Sequence, residues 1–228
     1  MKLELLDAYN IRVRLSASIL LLAPIAITLF FLFEEVRSFA TSSVILLVML
    51  ALTNYVPIMQ RTFGKCKTPG ANYAARLLYA DDQTFNAETK SRFYARLSKL
   101  DKSFSCFEKP DDSPAFKSAC ESAVEYLRNR TRDNHLVQEE NINYGFCRNL
   151  LASKAAGIII SALCIAFTAL FSWKKFGALS TIPVQNLLAL TSDGLLLLFW
   201  IFLATKKAQE QAGLAYAKTL ISAIDSLS

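Results

Sequence analysis

Four stretches of this chain are almost free of charge, and they constrain its fold more than any other feature. Leu15 to Phe33 runs 19 residues without a charged side chain, and Ser38 to Gln60 runs 23. Ala155 to Trp173 gives another 19, and Phe176 to Thr205 is interrupted only by Asp193. A helix needs about 20 apolar residues to cross the hydrocarbon of a bilayer. Each stretch reaches that length, and a soluble chain of 228 residues is too short to cover four such helices. The expected fold class is therefore all-α, an integral membrane protein with four transmembrane helices and a cytoplasmic helical insert between helices two and three. The expected divisions are 1–60 (N-terminal flank, helices one and two), 61–154 (the insert), 155–205 (helices three and four) and 206–228 (a cytoplasmic C-terminal helix).

Composition agrees with that reading. Hydrophobic residues make up 53%, mean hydropathy is +0.31, and 19% of residues are charged, where a soluble domain has about 25%. This argues against a water-soluble enzyme, a disordered tail or a secreted disulfide scaffold. The net charge of +6 is modest and points to lipid headgroups as neighbours more than to nucleic acid. The first apolar run is too long for a signal-peptide core and leads at once into a second, so helix one is expected to be a retained anchor.

Orientation follows the bias of Lys and Arg in the short flanks. Lys2, Arg12 and Arg14 precede helix one, and Arg61, Lys65 and Lys67 follow helix two. Arg148 and Lys154 precede helix three, and Lys206 and Lys207 follow helix four. The first outer loop, with Glu34, Glu35 and Arg37, is acidic on balance; Lys174 and Lys175 in the second run against the trend. Both termini and the insert are expected in the cytoplasm of a bacterial cell, with the spans in its inner membrane.

The insert carries 16 Lys+Arg and 12 Asp+Glu, a net +4. Asn86 can cap a helix running through Leu100, with Glu88 in its first turn and Phe93, Leu97 and Leu100 on one side. Lys109-Pro110-Asp111-Asp112 is a turn signal. Ser113 before Pro114 is a helix start, and Phe116, Cys120, Ala123, Val124 and Leu127 line one side of the helix it opens. Glu139 to Lys154 is expected to lead straight into helix three. The tail from Lys206 can extend helix four inward; its stripe of Leu220, Ile221, Ile224 and Leu227 either packs on the insert, the favoured reading, or forms a helical self-association surface.

Asp193 is the first candidate functional residue. A carboxylate near the middle of a span is costly and usually faces a bundle interior or a wet path. Asn186, Asp193 and Trp200 recur every seven residues and share a helix face, with Gln185 and Ser192 beside it. No Lys or Arg within the spans can pair with Asp193, so it must be protonated, hydrogen-bonded to neutral groups, or wet. It serves either a pore, gate or proton step, or it pins helices together as a neutral carboxyl, or it lies shallow. Pro24 falls at a similar depth, with Cys164, and removes a backbone donor from helix one. Asp193, Asn186 and Pro24 thus form the candidate responsive layer.

Just before helix three, Glu140 to Leu151 interleaves aromatics with amides. Aromatic belts and a snorkelling Arg148 explain part of this pattern. Asn141, Tyr144 and Arg148 are the candidate coupling or partner-binding residues. The five cysteines, Cys66, Cys106, Cys120, Cys147 and Cys164, contain no CxxC pair. A zinc site would need them and His135 to converge by folding alone, so free thiols are expected, and neither a metal nor another cofactor is. Arg130 and His135 share the Arg-x4-His spacing of helical HEPN-type ribonucleases, a pattern that also arises by chance. No nucleophile elbow or phosphate-binding loop is present. Arg128, Arg130 and Arg132 read as a solvated basic segment near headgroups, and direct nucleic-acid binding is not expected.

Three segments carry a resemblance: Thr89 to Leu97, Glu121 to Arg128, and Glu140 to Leu150. With the paired spans around a helical insert, they make the chain resemble small bacterial membrane effectors of anti-phage systems, of the retron-associated and cyclic-nucleotide types. That resemblance implies a non-enzymatic abortive-infection toxin acting as a homo-oligomer. It would permeabilise or depolarise the membrane when a cytoplasmic protein or nucleoprotein from the same operon triggers it. A membrane anchor or sensor subunit that recruits a soluble partner is the alternative, and a membrane-tethered ribonuclease a lesser one.

Overall fold

The computed structural model describes residues 13, 15–38, 42, 43, 46, 73–177 and 182–227. Among them every regular element is a helix and none is a strand. Most of the expected second span and of the N-terminal flank, with Arg61, Lys65, Cys66 and Lys67, lie outside the described residues.

The chain divides into two compact units, residues 1–66 with 145–208, and residues 67–144 with 209–228. In the first unit, α1 (Ser16–Leu32) carries Pro24 in its interior. The long α5 (His135–Phe176) and α6 (Val184–Phe202) come later in the chain. Both are long and apolar enough to cross a membrane; α1, at 17 residues, is a shorter apolar helix. Pro24 is buried and leaves the Leu20 carbonyl without its usual helical donor. Two basic side chains close helix ends whose carbonyls lack intrahelical partners. Arg37 donates to the carbonyls of Phe30 and Phe31, each at 3.0 Å, and Lys154 donates to that of Ile201 at 2.9 Å.

The second unit is built from α2 (Tyr73–Leu77), α3 (Ala87–Leu100), α4 (Pro114–Arg130), the first turns of α5, and most of α7 (Lys206–Ser222). The helix starts are those expected. The Asn86 side chain accepts from the Thr89 amide at 2.8 Å, and the Ser113 hydroxyl accepts from the Phe116 amide at 3.1 Å. Asn134 accepts from the amides of Leu136 and Val137, so α5 begins four residues before Glu139 and runs unbroken into the third apolar stretch.

The tail departs from expectation at one point. It does not extend α6; the helix stops near Leu203 and a new one begins at Lys206. Thr205 marks the break, its hydroxyl accepting from the Ala208 amide at 3.2 Å as a helix cap does. The stripe itself packs as expected. Leu220, Ile221 and Ile224 are buried in one core with Phe93, Leu97, Phe107 and Leu127, and Leu227 packs against it. At the surface Arg92 and Arg96 reach the Asp225 carboxylate at 2.8 and 3.5 Å. These pairs are half exposed and add little next to the apolar burial.

Candidate functional site

The helices of the first unit have an inverted burial pattern. The residues α5 buries from position 153 onward are Ser153, Gly157, Ser161, Thr168 and Ser172, all small, and all but Gly157 polar. Ile159, Leu163, Phe167, Leu170 and Trp173 of the same helix point outward and are exposed. On α6 the buried residues are Asn186, Ala189, Asp193 and Trp200, while Leu187, Leu188, Leu195, Leu198 and Phe202 are exposed. α1 buries Ala17, Ser18, Leu21, Pro24, Thr28 and Leu32 and exposes Ile19, Ile25 and Phe30.

Specific pairs hold these faces together. The Asn186 amide donates to the Ser172 hydroxyl at 2.8 Å. The Trp200 ring lies directly on Gly157, where any Cβ would collide with the indole. The Thr28 hydroxyl donates to Asp193 Oδ2 at 2.8 Å, and the thiol of Cys164 reaches the same threonine. The Asn149 amide donates to the Val13 carbonyl at 3.0 Å. The heptad-spaced Asn186, Asp193 and Trp200 are therefore all interior, and Asp193 has 0% exposure. Among the described residues, Asp193 Oδ1, Ser161 Oγ, Thr168 Oγ1 and Trp200 Nε1 are buried without a hydrogen-bond partner. An unsatisfied buried polar atom is expensive, and these four all lie on the buried faces of α5 and α6.

No protein-family model, curated protein or solved structure matches the chain. The site has to be read from its own geometry.

The coupling candidates fall in three different settings. Tyr144 is buried, its ring stacked on Tyr216 with centroids 6.1 Å apart and planes 2° from parallel. Gly213 of the same helix sits close against Tyr144 and Tyr73, so Tyr144 helps seat the tail. Asn141 is half-buried, and Arg148 is exposed. His135 is 81% exposed, with Glu139 at 3.9 Å as its ion-pair neighbour, while Arg130 ends α4; no described hydrogen bond or ion pair joins Arg130 to His135. Cys106, Cys120, Cys147 and Cys164 are free thiols, and no group of three or more His, Cys, Asp or Glu gathers among the described residues.

The second unit has buried polar groups of its own. The Lys90 ammonium donates to the carbonyls of Tyr79 and Asp82, holding the loop between α2 and α3. Desolvation depresses its pKa, and Asp82 and Asp81 oppose that shift. Tyr94 donates to the Leu78 carbonyl at 2.7 Å, and the Cys120 thiol reaches the same carbonyl at 3.7 Å. Two open grooves of about 530 and 510 Å³ adjoin this loop, one lined by Lys90, Ser91 and Tyr94, the other by Arg76, Tyr79 and Lys117.

Sequence reasoning found Asp193, Asn186 and Trp200 by their heptad spacing. It missed Thr28, Gly157, Ser161, Thr168 and Ser172. The α5 residues had a readable signal, because Ser153, Gly157, Ser161, Thr168 and Ser172 recur at steps of four and seven. Thr28 had none, since nothing local relates it to a carboxylate 165 positions later.

Proposed function

We propose that the chain is a four-span protein of a bacterial inner membrane, with its termini and polar insert in the cytoplasm. The observation that carries this reading is the inverted burial of the first unit. Helices that turn Leu, Ile, Phe and Trp outward and bury Ser, Thr, Asn, Asp and Gly suit hydrocarbon surroundings, where small and polar residues join helices. In water the same exterior would be an aggregation surface. Residues 38–60, free of charge, supply the further span, and α1 the first.

Within that membrane reading, the chain acts as a homo-oligomeric effector that depolarises or permeabilises the bilayer when triggered through its cytoplasmic unit. A carboxylate buried in a span is the kind of group around which such a response is built. Asp193, with Asn186 and Pro24 in the same bundle, is the responsive layer. The resemblance to anti-phage effectors supports the abortive-infection role, and the operon partner that role implies would engage the cytoplasmic unit. The grooves beside the Lys90 loop favour a second reading, an anchor that holds a soluble partner.

Inducible expression in bacteria with a potential-sensitive dye separates the two. The effector reading expects depolarisation by the wild type and its loss in Asp193→Ala, with equal amounts of both chains in the membrane fraction. Unchanged depolarisation in the variant would remove Asp193 from the mechanism. No depolarisation by either chain, with recovery of a stoichiometric partner, would favour the anchor.

A further inference from the structure

We infer that Asp193 is a proton-binding site inside the bundle, its carboxyl carried as the neutral acid with the proton on Oδ1. The inference rests on the membrane reading above and names the ligand of that layer. Its starting point is charge. Asp193 is the one charged residue in the four apolar stretches, the one outside the described residues included. Three described basic groups at the bundle ends, Arg37, Lys154 and Lys175, have other partners. Arg37 is held by the Phe30 and Phe31 carbonyls and by Gln185 at 3.2 Å, and Lys154 by the Ile201 carbonyl. Lys175 lies over the rings of Phe171 and Phe176. Of the described residues packed on Asp193, α1 offers no titratable group and α5 offers Cys164, a neutral thiol beside Thr28. A fully buried carboxylate with one hydroxyl donor and no cation beside it among the described residues is too costly to keep ionised. A bound positive charge has to cancel it.

Geometry selects a proton over a metal ion. Asn186 meets Ser172 and Trp200 meets Gly157, so α5 and α6 run antiparallel in a fixed register. Asp193 lies seven residues from both Asn186 and Trp200, which sets it level with residues 164 and 165 of α5. Ser161 and Thr168 then flank it, one turn to either side, each with a buried hydroxyl that has no described partner. Those two hydroxyls are about 10 Å apart along the axis, too far for one metal ion to touch both. An acid O–H on Oδ1 needs a single acceptor; neither hydroxyl is within direct reach of Oδ1, and either can supply it through a water. Release breaks that O–H bond, leaves the electron pair on Oδ1, and passes the proton to water. The bare carboxylate would then have to draw in solvent, while the Thr28 hydroxyl bond to Oδ2 becomes charge-assisted.

The test uses the full chain in phosphatidylcholine vesicles treated with dicyclohexylcarbodiimide, which adds to neutral carboxylic acids in apolar surroundings. Mass spectrometry of peptides reads the adduct. Label is expected at Asp193, absent in Asp193→Asn, declining as the buffer becomes alkaline, and indifferent to exchange of choline for sodium. Thr28→Val removes the donor that favours the ionised form and should carry labelling further into alkali than in the wild type. Protection by sodium at fixed pH would overturn the inference and give the site to a metal ion. Infrared spectroscopy covers poor access of the reagent. A neutral-carboxyl C=O band lost in Asp193→Asn upholds the inference even without adduct; no adduct and no such band overturns it. Neither readout needs toxicity. A labelled Asp193 in a chain that leaves membrane potential untouched would sink the effector reading and keep the proton site.

Discussion

A methyl group added at Gly157 would run into the Trp200 indole, which makes this contact the tightest test of how α5 meets α6. Gly157→Ala is expected to lower stability by about 1–3 kcal/mol, the range for overpacking. Thermal unfolding of the detergent-purified chain measures it. If the collision is the cause, Gly157→Ala should cost much less in a Trp200→Leu background. The Leu78 carbonyl is a second sensitive atom, with Tyr94 and Cys120 both aimed at it. Desolvation raises both groups, Tyr94 from 10.0 to about 12 and Cys120 from 9.0 to about 12. A group held protonated by the fold stabilises it fully below the unfolded pKa and stops doing so as pH climbs through the folded one. Stability of the second unit should therefore fall from about pH 9 and keep falling to about pH 12. Near-ultraviolet circular dichroism of the whole chain would follow it, and Tyr94→Phe, at a cost of about 1 kcal/mol at neutral pH, should flatten the upper part of the fall.

At the scale of elements, the helix starts were legible because a cap is a local contract between a side chain and amides two or three residues on. Ser113→Ala removes the acceptor for the Phe116 amide and should cost about 1 kcal/mol, read as an earlier unfolding transition in denaturant. The end of α6 was not legible in the same way. Leu203, Ala204 and Thr205 are compatible with a continuing helix, and the structure shows a break there, with Thr205 capping the next helix. Leu220, Ile221 and Ile224 belong to the core of the second unit, and α7 is a separate helix seated there by Gly213 against Tyr73 and Tyr144. α5 shows the opposite case from Ala155 to Trp173: that stretch reads as apolar, yet the residues it buries there are Gly157, Ser161, Thr168 and Ser172.

For the whole molecule, the prediction that matters most is topology. Single cysteines in an otherwise cysteine-free chain, probed with a membrane-impermeant maleimide on intact cells, should react near residue 35 and stay silent near residue 110 until the cells are opened. Reaction near 110 from outside would refute the cytoplasmic placement of the insert. The sequence by itself determined that the chain is helical, where its apolar stretches lie, where α3 and α4 begin, and that Asn186, Asp193 and Trp200 share a face. Each of these depends on residues within one or two helical turns. Only the tertiary structure decided that Thr28 meets Asp193, that Gly157 receives Trp200, and that the tail joins the core beneath α3 and α4. Those pairings join positions 165, 43 and roughly 90 or more residues apart, and they are fixed by the register in which whole helices pack, which no local periodicity encodes.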